Sequence, residues 1–403
     1  MENPAAKKPS KAELFEKLAV DVIYDRRRDG VARLLAAFLR VLSGIFWVVV
    51  KLRQRLYRAR IMRASHLGCM VIVVGNLTVG GTGKTPVVEK LARSLRDRGR
   101  RVAILSRGYK SKKEPAFRKW WRWLTHQEPE KPREVSDGKN VLLNAEIAGD
   151  EPYMLAKNLP GVVVLTDRDR VKAGHFAITE YGCDTLILDD GFQYFKLQDH
   201  LQVLLIDKSN PFGNGATLPR GLLREPISHM RRASYVFLTK SDGQPDPELE
   251  ATIRRYRPDV DLIECRHAPQ FLSRVSDGKE EPLSFLAGKR VLAFSAIAVP
   301  ESFERFVEEL GAEIIHRRSY MDHHRFTNDE LETLEATALE SEIDLIVTTE
   351  KDAVRLPDAW KPACDVYYLR VEIKILSGVK DFEAAVSRIC FPRREVRATR
   401  PPF

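Results

Sequence analysis

The chain has 403 residues, of which 30% are charged and 44% are hydrophobic, so it is a globular protein rather than a disordered one and is long enough for two domains. Its formal net charge of +10 suits an anionic partner, meaning nucleic acid, an anionic membrane or a phosphorylated substrate. The five cysteines form no C-x-x-C pair, which argues against a zinc site or a disulfide framework and favours a reducing cytoplasm.

The first predicted element is the apolar segment LLAAFLRVLSGIFWVVV, Leu34–Val50. It is shorter than the roughly 20 residues that span a bilayer, and Arg40 lies near its middle. We therefore expect a helix in the membrane interface, while a spanning helix and a buried core helix stay open as alternatives. A basic cluster without acids follows it: Lys51, Arg53, Arg55, Arg58, Arg60 and Arg63.

A glycine-rich turn comes next, in the stretch VIVVGNLTVGGTGKTPVVEKL at 71–91. The apolar run predicts a buried strand, the glycines free the backbone to turn its N–H groups inward, and a helix follows. Thr78 stands where the strict G-x-x-x-x-G-K-[ST] pattern has its first glycine. The turn still predicts a nucleotide site, whose candidate phosphate-binding residues are Thr78, Val79, Gly80, Gly81, Thr82, Gly83, Lys84 and Thr85.

Strands and helices then alternate, which predicts a mostly parallel α/β sheet flanked by helices. In the first series we predict a helix at 86–96, a helix at 170–179 and strands at 102–105, 162–167, 185–190, 202–207 and 235–240. The polar, proline-containing stretch at 241–248 is a plausible boundary, and a second series of alternating elements starts at 291. The predicted organisation is an N-terminal membrane-associated segment at 1–67, a phosphate-loop kinase domain at 68–240 and a smaller α/β domain at 241–403.

The stretch at 107–137 is basic and aromatic, with no clean periodicity. We expect a solvated loop here, with a membrane or lipid contact through Trp120, Trp121 and Trp123 as the alternative.

Two acids end the strand TLILDD, at Asp189 and Asp190. A phosphate loop needs a second magnesium-binding element, normally an acid at the end of a neighbouring strand. We predict that Thr85, Asp189 and Asp190 hold Mg²⁺, although a pair of acids in this position is also typical of a helix cap or a turn.

Eight ordered motifs carry a resemblance to a known family. They are VVGNLTVGGTGKTP (73–86), SRGY (106–109), GDEP (149–152), DDGFQ (189–193), FGNG (212–215), LPRGLLREP (218–226), DHH (322–324) and TEKD (349–352). From about residue 34 onward, the chain resembles tetraacyldisaccharide 4'-kinase, the lipid A 4'-kinase of Gram-negative bacteria. The family also carries Thr at the Thr78 position. The resemblance implies a phosphate-loop kinase fold with a smaller second domain, an active site in the cleft between these two domains and a membrane-associated N-terminal helix.

Site residues follow from this resemblance, position by position. Asp150 matches the catalytic carboxylate beside the acceptor hydroxyl, and His323 matches the histidine that partners it. Arg170 matches a phosphate-contacting arginine, with an exposed helix arginine as the alternative, and Gln193 and Glu151 match further active-site positions. The chain departs from many members at Tyr194, where they have His, and in the long 110–137 insertion.

The implied activity is transfer of a phosphoryl group from ATP, with Mg²⁺, to the 4'-hydroxyl of tetraacyldisaccharide 1-phosphate. The product would be lipid IVA, an intermediate of lipopolysaccharide synthesis. The implied partners are this lipid and a membrane surface, with no nucleic acid and no obligate protein partner. We expect a peripheral or monotopic protein on the cytoplasmic face of the bacterial inner membrane.

Two other functions compete with this interpretation. A phosphate-loop GTPase or metallochaperone is suggested by TKSD (239–242), which resembles a guanine-reading element, although no Cys/His cluster marks a cargo metal. A nucleic-acid-binding ATPase would also use the positive charge, but the basic cluster here abuts an apolar segment, which favours a membrane.

Overall fold

The structure is a computed structural model that describes residues 18–108, 130–198, 200–357 and 359–390. Trp120, Trp121 and Trp123, with most of the 110–137 insertion, lie outside these ranges. The chain divides into two compact units. The first unit takes the described part of 1–66 with 73–82 and 190–264, and the second takes 67–72, 83–189 and the described residues from 265 onward. This division does not coincide with the domain boundaries at 67 and 240, which stay a prediction.

The first unit contains helix α1 (Gly30–Arg58), the second half of strand β1 (Met70–Asn76), strands β6 (His200–Asp207) and β7 (Tyr235–Thr239), helix α6 (Pro247–Tyr256) and the start of β8 (Asp261–Arg274). Its strands are hydrogen-bonded in the order β1-β6-β7-β8, and β7 runs parallel to both of its neighbours. Leu77, Phe192, Val236 and Ile253 belong to its buried core.

Helix α1 is longer than the predicted 34–50 segment because it starts four residues earlier and continues through the basic cluster to Arg58. Asp29 caps its start by accepting a hydrogen bond from the Ala32 backbone N–H at 2.8 Å. At about 1.5 Å per residue its 29 residues extend for about 43 Å, which exceeds the ~30 Å hydrocarbon layer. By length and composition it is a candidate membrane span, so its length does not exclude the spanning alternative.

The second unit begins with a group of elements that surrounds strand β2. These are the start of β1, α2 (Lys84–Arg96), β2 (Val102–Ser106), β3 (Arg133–Asp137), α3 (Ala145–Ala148), α4 (Asp150–Asn158), β4 (Val163–Thr166), α5 (Arg170–Tyr181) and β5 (Thr185–Leu188). Its strands are ordered β5-β2-β4-β3, with β2 parallel to β4 and β5, and β3 antiparallel to β4. The carboxyl ends of the parallel strands consequently meet at one edge.

The remaining elements of the second unit form a second strand series. They are the end of β8, β9 (Glu280–Glu281), β10 (Arg290–Ser295), α7 (Pro300–Glu309), β11 (Glu313–Ser319), α8 (Asn328–Glu340), β12 (Leu345–Thr349), α9 (Glu350–Ala353), β13 (Val366–Ser377) and α10 (Val379–Cys390). The order is β11-β10-β12-β13, and all three pairings are parallel.

The predicted fold class, a mostly parallel α/β sheet with flanking helices and an apolar N-terminal helix, is confirmed. The strands predicted in the first series appear within about two residues of their expected ends. Strands β3 and β8 and helices α4, α6 and α10 were not predicted, because their sequences mix charged and apolar residues without a strong period.

Candidate active site

The phosphate loop follows strand β1 and is shaped by backbone hydrogen bonds and by two glycines. Val79 N–H donates to the Leu222 carbonyl at 2.7 Å. Gly80 and Gly83 have φ values of 109° and 73°, conformations that residues with a side chain rarely adopt. Gly83 is the N-cap of α2 and supplies no side-chain cap, and the start of a 13-residue helix suits an anion.

Lys84 and Thr85 form the first turn of α2, which places a cation and a buried hydroxyl at the start of the helix. This is the arrangement that the sequence predicted, and it suits phosphate oxygens and Mg²⁺.

Asp189 and Asp190 are neighbours in the sequence, but their side chains lie in different surroundings. Asp189 directly follows β5, is 3% exposed and donates its backbone N–H to the Leu105 carbonyl at 3.1 Å. Asp190 has a φ of 50°, and both of its carboxylate oxygens accept from Arg224 Nη1, at 2.8 and 2.9 Å. Because Arg224 already neutralises Asp190, Asp189 is the better candidate for a magnesium ligand.

The donor set fits a magnesium ion that is brought in with a nucleotide. The described residues contain no group of three or more His, Cys, Asp or Glu side chains that could hold a metal. Mg²⁺ usually takes only one or two carboxylates and completes its shell with phosphates and water. Asp189 and Thr85 offer oxygen donors of this kind.

Gln193 lies in the same loop as Asp190. Its Nε2 donates to the Asn76 carbonyl at 3.0 Å, and its Oε1 accepts from Arg224 Nη1 at 3.4 Å. Asp190, Gln193 and Arg224 therefore form one polar cluster in the first unit. Tyr194 continues this loop and donates its backbone N–H to Gly191 at 2.8 Å.

Arg170 is the first residue of α5 and is only 5% exposed, which contradicts the alternative of an exposed helix arginine. The Asp167 N–H donates to the Ser106 carbonyl at 3.1 Å, which aligns the ends of β4 and β2. Since β2 also pairs with β5 in parallel, Arg170 and Asp189 follow strands that end at the same edge. A buried cation near that edge suits a phosphate group.

Asp150 and His323 come together, as the resemblance predicted. Asp150 is the first residue of α4, and its Oδ2 lies 3.4 Å from His323 Nδ1. The Asp150 side chain is 12% exposed, so it is not the surface acid that would have been the alternative. Glu151 is the next residue in the same first turn. The structure gives their positions, and their catalytic roles stay predictions.

Two arginines that the sequence reasoning missed complete this cluster. Arg355 donates from Nε to Asp150 Oδ2 at 2.8 Å, and Arg325 donates from Nη2 to Asp150 Oδ1 at 3.2 Å. Both lie next to quoted motifs, Arg325 directly after DHH and Arg355 three residues after TEKD. Burial raises the pKa of Asp150, but the hydrogen bonds and positive charges around it, those of Arg355 and Arg325 among them, lower it by more, to about 2. Asp150 is therefore an anion at neutral pH.

His323 has an unusual backbone, with a φ of 66° in the left-handed region. Its N–H donates to the Ala296 carbonyl at 3.2 Å, which holds this conformation in place. Such backbone strain in a residue other than glycine is enriched at functional sites.

The TEKD motif connects the elements around Asp150. Lys351 contacts Asp322 at 3.3 Å beside His323, and Glu350 accepts from Asn158, at the end of the Asp150 helix, at 2.6 Å. Glu350 also accepts from Arg370 at 2.5 Å, and Arg370 pairs with the buried Glu89 of α2. One short motif thus contacts the helix that begins at Asp150 and the loop that carries His323, and Arg370 links it to the helix that begins at Lys84.

The TKSD motif has a different environment from the one that a guanine-reading element requires. Asp242 pairs with Lys208 at 3.3 Å, and Lys240 pairs with Asp207 at 2.6 Å. Thr239 donates to the Thr82 carbonyl at 2.9 Å, so this motif supports the phosphate loop.

Comparison with known proteins gives consistent results. The family model described as tetraacyldisaccharide-1-P 4'-kinase matches residues 35–390. A tetraacyldisaccharide 4'-kinase of Anaeromyxobacter dehalogenans is 41% identical over 91% of this chain and 94% of its own length. The same-named protein of Syntrophus aciditrophicus is 40% identical over 87% of this chain and 92% of its own. The crystal structure of LpxK from Aquifex aeolicus in complex with ATP matches with a TM-score of 0.67 and 30% identity, covering 89% of this chain and 100% of that one.

Proposed function

The chain belongs to the tetraacyldisaccharide 4'-kinase family, and we propose that its reaction is carried out by the Asp150 cluster together with the phosphate loop. The protein is an ATP-dependent kinase of lipid A biosynthesis. It phosphorylates the 4'-hydroxyl of tetraacyldisaccharide 1-phosphate to give lipid IVA. Neither a GTPase nor a nucleic-acid-binding activity finds support among its relatives.

The proposed chemical step is a direct phosphoryl transfer. The 4'-hydroxyl oxygen forms a bond to the γ-phosphorus of ATP, and the bond from that phosphorus to the β,γ-bridging oxygen breaks with its electron pair going to ADP. The hydroxyl proton passes to Asp150. The observation that carries this assignment is the partly buried Asp150 carboxylate beside His323 Nδ1 at 3.4 Å.

The low pKa of Asp150 fits this type of reaction. A carboxylate with a pKa of about 2 is a weak base, but it is an anion that orients a hydroxyl by accepting its hydrogen bond. Phosphoryl transfer passes through a loose transition state in most analyses, so that positioning and charge stabilisation matter more than early deprotonation. His323 Nδ1 is placed to receive the proton from Asp150 as the reaction completes.

Other residues would hold the triphosphate. We assign the backbone N–H groups of 78–85 and the Lys84 ammonium to the phosphates, and Arg170 to charge that develops in the transition state. Thr85 and Asp189 would hold Mg²⁺, which neutralises phosphate charge when it is bound. Asp190 would contribute only after releasing Arg224.

The N-terminal helix supports a membrane location for the lipid substrate. In the apolar part of α1 only 6% of the residues are buried. Six of its exposed apolar side chains recur every three or four residues and so form a stripe: Leu34, Phe38, Val41, Ile45, Val48 and Leu52. This exposure argues against the core-helix alternative.

The opposite face of α1 carries the residues that pack on the first unit. Ala32, Ser43 and Gln54 are buried and are spaced by 11 residues, about three helical turns. Ser43 Oγ donates to the Thr217 carbonyl at 2.8 Å. A helix with one face on the protein and an apolar stripe on the other suits a monotopic anchor at the bilayer, on the cytoplasmic face where ATP is available.

The test is an assay with purified full-length protein, ATP, Mg²⁺ and tetraacyldisaccharide 1-phosphate in detergent micelles, read by mass spectrometry of the lipid. We expect a product heavier by one phosphoryl group with ATP and much less with GTP. Asp150→Ala should remove this product. Unchanged turnover by a folded Asp150→Ala protein would refute the proposed role of the cluster.

A further inference from the structure

Arg355 is a buried arginine that lies outside the eight sequence motifs. Its side chain is fully buried, with 0% exposure, and its guanidinium lies among four acceptors. Nη1 donates to the Ala296 carbonyl at 3.0 Å and to Asp352 Oδ1 at 2.8 Å. Nε and Nη2 form the other edge of the group, which faces Asp150 and His323.

The edge that faces the reacting pair contacts both of its members. Nε lies 2.8 Å from Asp150 Oδ2, and Nη2 lies 3.1 Å from His323 Nδ1. A guanidinium remains protonated in proteins and has no acceptor atom. A hydrogen bond from Nη2 requires a lone pair on His323 Nδ1, and it therefore favours the neutral imidazole that carries its proton on Nε2.

This tautomer changes how Asp150 and His323 interact. With the proton on Nε2, Nδ1 is an acceptor, so His323 does not donate to Asp150 in the resting state. The same lone pair can accept a proton that Asp150 has taken from the substrate hydroxyl once Nη2 no longer donates to it. Arg355 thereby holds two acceptors side by side, a geometry that would be repulsive without a shared donor.

Asp352 fixes the other end of this arrangement. Asp352 is fully buried, and its Oδ2 accepts from the Ala296 N–H at 3.0 Å and from Thr349 Oγ1 at 2.6 Å. Burial raises the pKa of Asp352, while its hydrogen bonds and Arg355 oppose that rise. The TEKD motif therefore holds the Arg355 guanidinium in a fixed orientation through Asp352.

We propose that Arg355 is a positioning residue of the phosphoryl transfer, which keeps Asp150 ionised and fixes His323 as its Nε2–H tautomer. This inference rests on the proposed function of Asp150. Arg355 acts through these two side chains and needs no contact with the substrate. The charged groups that face the pair are Arg355, Arg325 and Asp322, the last at 3.9 Å from His323 Nε2.

Two variants separate charge from geometry. Arg355→Lys keeps the positive charge but loses the planar fork that reaches both acceptors, whereas Arg355→Gln loses the charge. For Arg355→Gln, we expect kcat to fall by about 10²-fold or more, with the KM for ATP unchanged. The acidic limb of the pH profile of kcat/KM for the lipid should shift to higher pH by about 1–3 units. A nearby cation lowers the pKa of a carboxyl group by that amount, and this variant removes the cation beside Asp150.

For Arg355→Lys, the acid limb should stay close to that of the wild type while kcat falls. Arg317→Gln is the matched control, since Arg317 lies in the same unit, is 45% exposed and pairs with Glu304 and Glu308. It should leave kcat and both pH limbs unchanged. A wild-type acid limb in a folded Arg355→Gln protein would overturn the proposal.

Nitrogen-15 NMR of the wild-type protein tests the tautomer without a substitution in the arginine. Histidine-labelled protein at alkaline pH should show His323, identified by loss of its signal in His323→Gln, with a protonated Nε2 and an unprotonated Nδ1. A protonated Nδ1 would overturn the proposal even if Arg355 variants fail to fold. Normal activity in Asp150→Ala would instead count against the proposed function, so the two failures are distinguishable.

Discussion

His323 Nδ1 lies 3.4 Å from Asp150 Oδ2, although 173 positions separate the two residues in the sequence. Asp150 starts a helix, and His323 lies in the loop that follows strand β11 with a strained backbone. Neither residue would be held in this place without the other elements of the second unit. Because the two side chains lie so close together, we expect substitutions of Asp150 and His323 to have non-additive effects on kcat.

Asp150→Ala and His323→Ala should each lower kcat by about 10²–10⁴-fold, the usual range for acid–base assistance. The double variant should be little worse than the more damaging single one, because residues that act as a unit are not additive. Steady-state kinetics of the three proteins measures this. Losses that multiply in full would mean that the two residues perform separate tasks.

The phosphate loop gives the second prediction. Lys84→Ala should abolish phosphoryl transfer and weaken ATP binding, because the ammonium contacts phosphates when nucleotide is bound. Lys90→Ala, in the same helix α2, is the matched control and should keep near-normal activity. Thermal unfolding should show both variants folded. A folded Lys84→Ala protein with normal turnover would remove the loop from the mechanism.

The apolar stripe of α1 gives the third prediction. Replacing Phe38, Val41, Ile45 and Val48 with Gln should reduce flotation with liposomes without unfolding the protein, because these side chains are exposed. Replacing Arg53, Arg55, Arg58 and Arg60 with Gln should weaken binding to anionic liposomes by about 1 kcal/mol for each residue near the surface and make it less salt-dependent.

Flotation with liposomes at low and high salt distinguishes the contribution of the apolar stripe from that of the basic cluster. If the stripe variant floats as well as the wild type, α1 is not the membrane anchor. Residues outside the described ranges, Trp120, Trp121 and Trp123 among them, would then be tested next.

The buried ion network around Arg370 gives the fourth prediction, on stability. Arg370 is 4% exposed and pairs with Glu89, which is also 4% exposed, and with Glu350 at 2.5 Å. Arg370→Leu should lower the free energy of unfolding by about 3–5 kcal/mol, because it removes the buried cation that Glu89 and Glu350 share. Arg93→Leu removes a partly exposed partner of Glu89 and should cost less, about 1 kcal/mol.

The cost of Arg370→Leu should depend on pH. Burial already raises the pKa of Glu89, although Arg370 opposes the rise, so loss of Arg370 should raise this pKa further. A carboxyl whose folded pKa is raised contributes stability below its unfolded pKa, and that contribution is lost as the pH rises through the folded value. The difference from wild type in urea unfolding should therefore shrink as the pH is lowered from neutral. A difference that grows on acidification would contradict this explanation.

Much of the fold was predictable because its strands are continuous β-branched runs. Strands such as β1 and β5 are buried along nearly their whole length, and burial of this kind appears directly in the sequence as apolar residues. Strand β8 mixes Glu, Arg, His and Gln with apolar residues, so its sequence lacks this signal.

The candidate site was predictable only in part. The glycine loop has a local signature, whereas Asp150 and His323 came from the family resemblance. Arg355 and Arg325 were missed because an arginine that pairs with an acid 205 or 175 positions away looks like any charged surface residue in the sequence. Such pairings depend on how strands and helices fold together, and single-residue patterns do not contain that information. Arg170 shows the same limit, since only the structure reveals that it is buried.

The proposed reaction transfers the γ-phosphoryl group of ATP to the 4'-hydroxyl of the lipid. Its most direct test is to incubate the wild-type protein with γ-labelled ATP, Mg²⁺ and tetraacyldisaccharide 1-phosphate, and to locate the new phosphate by phosphorus–proton correlation NMR of the purified lipid. We expect one labelled phosphate coupled to the proton at the 4'-position, with the 1-phosphate unchanged. Label on the 1-phosphate, or label released only as inorganic phosphate, would contradict it.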